Sequence, residues 1–463
     1  MLKLRSAVLR VNSEKASPNW VMEAVTRCRA AILDKEADFK THSKIATLLF
    51  VAPSLSSTNL NLLNQCKSAV GVLSKSSQSD PADQQSTNIS TATSSNVIGA
   101  IVSANNSFAH SNSHSIALVH LYANTNSGAR ASAFHIDKQF ASFSPFRSRK
   151  SVGRWFEPLS LEDAKSQRDF NLDEFKSVSM NTPNLHDSTE KDQLDLVKLV
   201  PSPDVLLTIS DKDPNAIWGS LCRVFPSSKK IGLVSPMTPF LTGLTHTHFI
   251  NGAVVDGGLV GLSLTLPAEA KKAAVVSYEY NNFTPFGDFM SITSCQGNII
   301  LTLDSSTATS QILSSLATKH GNKPLERVIS SDKSLYIEID RAGNADKNSL
   351  QVYKIVAGDL RKGNIAVDTV EDLKVGMRVR FLYQGVDAHV YNELTEAGIR
   401  FATVRESDEF ASGTDHNLSA QILDNEVFVS DRLTVGSETG IVHPCGDAFE
   451  VSRVPFSTVE LKI

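Results

Sequence analysis

Apolar positions fall in short bursts along this chain, and the spacing within each burst separates strands from helices. Residues 4–11 form a short apolar run. Ser17 before Pro18 then marks a helix start, because proline suits a first turn whose N–H groups have no acceptor, and Val21, Val25, Cys28 and Ile32 follow at helical spacing. Residues 45–52 are almost continuously apolar, the pattern of a strand buried on both faces. Ser57 or Thr58 is placed to cap a second helix, in which Leu60, Leu63 and Val70 form a stripe. Residues 97–102 and 115–123 return to strand, so the opening has a β-α-β rhythm.

Residues 205–209 predict a strand, and 215–225 a helix with Trp218 and Leu221 on its inner side. The densest pattern runs from 229 to 304. Two apolar runs there flank Asn251-Gly252, the dipeptide best suited to a tight hairpin because both residues tolerate positive φ. A turn around Pro285 and Gly287 and another at Gly297-Asn298 bound further strands, the last over 299–303. Residues 307–319 predict an amphipathic helix with Ile312, Leu313 and Leu316 on one face. Strand patterns follow at 335–339, 350–356, 364–367 and 379–383, then a helix over 386–398, a polar loop over 402–418 and a β-patterned tail.

Two stretches break the pattern. Residues 74–96 are rich in Ser, Gln, Thr and Asp with almost nothing to bury, and 140–195 are weakly hydrophobic. Both predict disordered insertions, because such segments cannot offset their ordering entropy. The second holds Arg147, Arg149, Lys150 and Arg154 near Trp155. That cluster reads as a solvated loop, since an electrostatic footprint for lipid or RNA needs a wider patch.

The 463 residues exceed what one core accommodates. Lys and Arg total 45 against 49 Asp and Glu, so no net basic field points to nucleic acid. Cys28, Cys66, Cys222, Cys295 and Cys445 stand singly with no CxxC pair, which argues against a zinc ribbon and a secreted disulfide framework and favours a reducing compartment. No run reaches the ~20 apolar residues of a membrane helix. The expectation is an intracellular protein, cytoplasmic, or mitochondrial if residues 1–16, with Lys3, Arg5 and Arg10 before any acid, act as a presequence and not as a first strand.

His246 and His248 are the tight histidine pair. Period two on a strand puts both imidazoles on one face, where Asp256 across the hairpin is a possible third metal ligand, which would make the chain a metal-dependent enzyme; the competing reading is a polar, solvent-facing strand surface. Cys295 has no positive neighbour to activate it and reads as structural. Glu438, His443 and Asp447 lie close in a turn-rich tail without a fixed catalytic spacing. No GxSxG, HExxH, P-loop or dinucleotide fingerprint occurs, so no cofactor is expected. The glycines at predicted strand ends, Gly99, Gly232, Gly257, Gly258, Gly287 and Gly297, with Pro285 and Asn298, are candidates for backbone contact with a small polar ligand; the competing reading gives them turn geometry alone.

The stretches LTHTHFINGAVVDGGLVGLSL and TPFGDFMSITSCQGNIILTLD, with VYKIVAGDLRKGNIAVDTVEDLKVGMRVRFLYQG downstream, resemble the FIST domain, an α/β sensory module with N- and C-terminal halves. GSETGIV resembles its closing Gly-Glu turn. The resemblance implies an α/β fold of two mixed-sheet halves with helices packed on the sheets. The halves are residues 1–275, which carry the polar insertions, and 276–463. It also implies a non-enzymatic sensor that binds a small, amino-acid-like ligand between the two halves and signals through protein partners. An F-box joins one branch of that family, and none is expected in this chain. Around Gly99 the family has a GCS pattern where this chain has Ala100 and Ile101, so a function for that thiol is not expected.

Overall fold

The computed structural model describes residues 2–35, 41–54, 61–75, 96–102, 113–137, 203–212, 214–281, 283–320, 335–340, 350–359, 361–369, 372–384, 396–404, 425–445 and 448–463. The described residues are mixed α/β and fall into two compact units. The first draws on Met1–Arg147, Val200–Asn281 and Asp387–Ile463; the described part of the second lies within Asn282–Val386. The contacts therefore divide the chain differently from two consecutive halves meeting at 275, because the segment after 387 belongs with the first unit.

The first unit opens with β1 (Leu2–Asn12), α1 (Trp20–Asp34), β2 (His42–Ala52), α2 (Leu62–Lys75), β3 (Asn96–Ile101) and β4 (Ser113–Asn124). It continues with β5 (Arg130–Ile136), β6 (Val205–Ser210), α3 (Asn215–Val224), β7 (Lys229–Val234), α4 (Pro239–Thr242), β8 (Thr247–Ile250), β9 (Ala253–Asp256), β10 (Leu259–Thr265), α5 (Ala268–Ala273) and β11 (Val275–Tyr280).

The second unit holds β12 (Phe283–Gln296), β13 (Ile299–Leu303), β14 (Ser306–Thr307), α6 (Ala308–His320), β15 (Leu335–Asp340), β16 (Leu350–Asp359), β17 (Asn364–Val367) and β18 (Arg378–Gln384). The first unit resumes with β19 (Gly398–Thr403), β20 (Val427–Ser430), β21 (Arg432–Ser437), β22 (Ile441–Cys445), β23 (Ala448–Ser452) and β24 (Ser457–Lys462).

Three sheets of the first unit share one plan. The strand orders β1-β4-β2-β3, β5-β10-β6-β7 and β11-β24-β19-β21 each place first, last, second and third strands side by side. In every case the first strand is antiparallel to the last, the last antiparallel to the second, and the second parallel to the third. The unit is thus built from three copies of one topology. The hairpin β8–β9 of the second copy extends the sheet of the first through β3, and the hairpin β22–β23 of the third extends the sheet of the second through β7.

Burial explains the continuous apolar runs. On β4, Val119 and Leu121 face a core shared with Leu207, Ile231, Phe401 and Leu461 of the other two sheets, while Ile116 and Leu118 face α1 and α2 through Val25, Cys28, Cys66 and Val70. A strand covered on both sides has no polar face to alternate. Gly99 sits mid-strand in β3, where a Cβ would lie 1.8 Å from the Leu49 carbonyl oxygen of β2. Gly232, mid-strand in β7, leaves room for the indole of Trp218 on α3. Neither glycine is at a strand end, contrary to the sequence expectation, and each has a steric reason to lack a side chain.

In the second unit, the ring β12-β18-β15-β16-β17-β13 closes because β12 also pairs with β13, and every pairing in it is antiparallel. This six-stranded barrel replaces the mixed sheet expected for the C-terminal half. Its closure rests on a bend in one long strand. Residues 283–291 of β12 pair with β18 and residues 292–296 pair with β13, with a register shift between Phe286 and Met290. Gly287, at φ 79°, lies in that shift. The expected turn at Pro285 and Gly287 is therefore a bulge that lets one strand change partners, as barrel closure requires. Ile292, Ile300, Ile337, Ile339, Val379 and Phe381 fill the core with Ile312 and Leu316 of α6; Leu313 is only partly buried.

Asn251-Gly252 forms the expected hairpin turn, with φ of 44° and 90° joining Ile250 to its partner Ala253. Most of the predicted insertion at 74–96, all of that at 140–195 with its basic cluster, the caps Ser57 and Thr58, and nearly all of the helix at 386–398 lie outside the described residues. Ser74 and Lys75 are the last turn of α2, and Gly398 opens β19.

Candidate functional site

The parallel strands β6 and β7 are joined through α3, and their carboxyl ends run into Asp211 and Ser235. In α/β sheets such ends are where loops diverge and leave space for ligands. The Ser235 backbone N–H donates to the Ser210 carbonyl at 2.8 Å, which fixes the two ends together. The chain then runs through α4 and returns at His246, just before β8.

His246 and His248 both turn toward Ser235. Its Oγ lies 2.7 Å from Nε2 of His248 and 3.2 Å from Nδ1 of His246, and 3.1 Å from the Ser210 carbonyl oxygen. The rings stand 6.2 Å apart, and both residues are buried. Their predicted common orientation is present, but the solvent-facing reading is overturned: the second copy's sheet end encloses them.

Proton counting constrains the cluster. The Ser235 hydroxyl has one proton for three neighbours, and the Ser210 carbonyl can only accept. At least one imidazole must therefore donate to the hydroxyl, and its other nitrogen becomes a bare acceptor. Among the described residues, Nε2 of His246 and Nδ1 of His248 are enclosed and make no hydrogen bond of normal geometry, although the Gly257 carbonyl lies near the His248 ring and those of Ser235 and Pro236 near the His246 ring. Burial pushes His248 down to about 3, helped by the neighbouring His246, against the Gly257 carbonyl and Asp256. Burial also lowers His246, opposed by the carboxylates of Asp211 and Asp256 and the nearby carbonyls. Both rings are neutral near pH 7.

The turn between β9 and β10 forms the other wall. Gly257 and Gly258 both hold φ 72°, a region that glycine enters at little cost. Gly258 N–H donates to Asp211 Oδ2 at 2.9 Å, Gly257 N–H to the His246 carbonyl at 3.2 Å, and His246 N–H to Asp256 Oδ1 at 3.1 Å. His135 of β5 brings Nε2 to 3.4 Å from the Gly257 carbonyl oxygen. On the far side of β8, the hydroxyl of Thr247 lies 2.7 Å from those of Thr238 and Thr242 and ties the intervening segment down.

Of the glycines proposed from sequence, Gly257 and Gly258 join this cluster. Gly99 and Gly232 lie within strands, while Pro285, Gly287, Gly297 and Asn298 belong to the second unit, where Asn298 Nδ2 donates to the Val367 carbonyl at 2.9 Å. Asp256 holds a backbone amide, and among the described residues no group of three His, Cys, Asp or Glu side chains is arranged around a metal position. Cys295 is partly buried, donates to the Leu373 carbonyl, and has its thiol pushed up by burial and by Asp372. Glu438 is exposed while His443 is buried, and Asp447 lies outside the described residues.

Ser235, Asp211 and His135 were not legible as site residues. Ser235 carries a weak signal, since it directly follows the apolar run of β7; His135 and Asp211 reach the cluster through pairings far apart in sequence. Comparison with protein-family models and with curated proteins finds no match to the chain.

Proposed function

We propose that the chain is a non-enzymatic small-ligand binding module, and that the ligand is received at the carboxyl ends of β6 and β7. One observation carries this reading: the Ser235 hydroxyl, shared by His246 and His248, leaves at least one enclosed imidazole nitrogen as an acceptor without a donor. A group offering N–H or O–H protons complements that nitrogen, and Asp211 and Asp256 add negative charge nearby. An amino-acid-like ligand, with its ammonium group, has this chemistry.

The FIST resemblance supports the same reading, with a sensory role and protein partners that receive the signal inside the cell, in the cytoplasm or the mitochondrion. Among the described residues no helix is long and apolar enough to cross a membrane.

Thermal-shift screening of the full chain against amino acids, primary amines and polyols tests the proposal. A ligand that binds only the native state raises the melting temperature by mass action. The expected result is a concentration-dependent rise for at least one ammonium-bearing compound, lost in Ser235→Ala. A flat response across the panel, or stoichiometric transition metal in the purified protein, would overturn it.

A further inference from the structure

Counted from the hairpin end, His443 on β22 stands where His248 stands on β8, although in the register to the preceding sheet it is Ile441 that matches His248. In one hairpin Ile250 pairs with Ala253 and His248 with Val255; in the other Cys445 pairs with Ala448 and His443 with Glu450. Each histidine therefore stands two pairs back from the hairpin end, in the third and second copies of the shared topology. Both are buried, at 1% and 0% exposure. Each hairpin also bridges from its own copy to the sheet of the preceding one, so each histidine lies at a junction between copies.

The surroundings of His443 differ in a way that fixes its tautomer. Among the described residues no serine bridges it. Its ring stacks on Tyr278 of β11 at 4.2 Å and 18°, and meets Tyr280 edge-on at 6.3 Å. Nδ1 lies 3.0 Å from the Pro444 carbonyl oxygen. A carbonyl accepts and never donates, so the proton resides on Nδ1 and Nε2 is a bare acceptor. That nitrogen is enclosed and, among the described residues, makes no hydrogen bond. Burial keeps the ring from taking a second proton, with its pKa lowered to about 4. Enclosed acceptors in folded proteins are nearly always satisfied, so an exception needs an explanation, of which a bound water or a ligand is one.

We infer that His443 Nε2 is the receiving point of a second small-ligand site, at the junction of the second and third copies, for a molecule that offers a hydroxyl or amine proton. The flat faces of Tyr278 and His443 hold the ring in place, so the acceptor direction is set before anything binds. This site does not depend on occupancy of the Ser235 cluster.

Ethanolamine and, separately, glycerol titrated into the full-length protein labelled with 13C,15N-histidine provide the test. The expected spectrum shows His443 as the Nδ1–H tautomer, with ring signals that shift saturably with at least one probe. His443→Phe, which keeps the aromatic stack, is expected to weaken that binding event at least tenfold. An Nε2–H tautomer, or His443 signals that respond to neither probe, would overturn the inference, the second outcome meaning that an ordered water satisfies the nitrogen. Response of His246 and His248 without His443 would sink this inference and leave the strand-end site standing. If the variant does not fold, the wild-type titration decides alone.

Discussion

Acidification is expected to destabilise the first unit well above the pH at which carboxylates protonate. His120, His248 and His443 are all buried there, with pKa values lowered by burial to about 3, 3 and 4. An unfolded histidine titrates near 6.5, so the unfolded chain takes up these protons before the folded one does. The sign follows from that difference: the stability is fully present above pH 6.5 and is lost as pH falls from there toward 4 for His443 and toward 3 for His120 and His248. At pH 5 each group costs roughly 2 kcal/mol, from about 1.4 kcal/mol per pH unit over about 1.5 units, and the three together about 6 kcal/mol. Set against a typical stability of about 5–15 kcal/mol, that loss is a large fraction of the whole. Urea unfolding followed by tryptophan fluorescence, with Trp20 and Trp218 buried in this unit, measures it at pH 7.5, 6.0 and 5.0. The midpoint is expected to fall steeply below pH 6.5, and the slope to be shallower in His443→Phe, with His114 and His246 adding to the loss in both proteins. A change under about 1 kcal/mol between pH 7.5 and 5.0, or a His248 resonance titrating near 6.5, would refute the reasoning.

Three further outcomes follow from packing and hydrogen bonding. Gly99→Ala puts a Cβ against the Leu49 backbone and is expected to cost about 3 kcal/mol or more, read by denaturant unfolding. Ser235→Ala strips His246 and His248 of their shared partner and is expected to cost about 2–4 kcal/mol, more than a surface serine by the same assay. Gly287→Ala is expected to destabilise the barrel by about 1–2 kcal/mol, because a left-handed residue gains a Cβ 2.8 Å from Ser315 Oγ; a change under 0.5 kcal/mol would contradict the bulge.

Local chemistry was legible in the sequence and long-range topology was not. The Asn251-Gly252 turn and the doubly buried strands β2 and β6 announce themselves through residue type within a few positions. β5 and β19 do not: one lies just before a polar stretch, the other between a predicted helix and a predicted loop, and both are strands because distant partners pair with them. Gly287 carried a true signal of left-handed backbone, but a turn and a bulge make the same local demand, and only the partners of β12 separate them. The threefold plan is hidden for a related reason. Its copies share strand order and direction, while the barrel and long polar stretches interrupt them at different points. The histidine pair was correctly placed on one face, yet burial depends on the sheet end that encloses it, and Ser235 arrives from a separate strand.

The most direct test of the binding reading is the histidine NMR spectrum of the full chain, recorded as a ligand from the thermal screen is added. The ring signals of His246 and His248 are expected to shift in step with the bound fraction measured by calorimetry. Calorimetric binding that leaves both signals unmoved would place the ligand elsewhere and contradict the account.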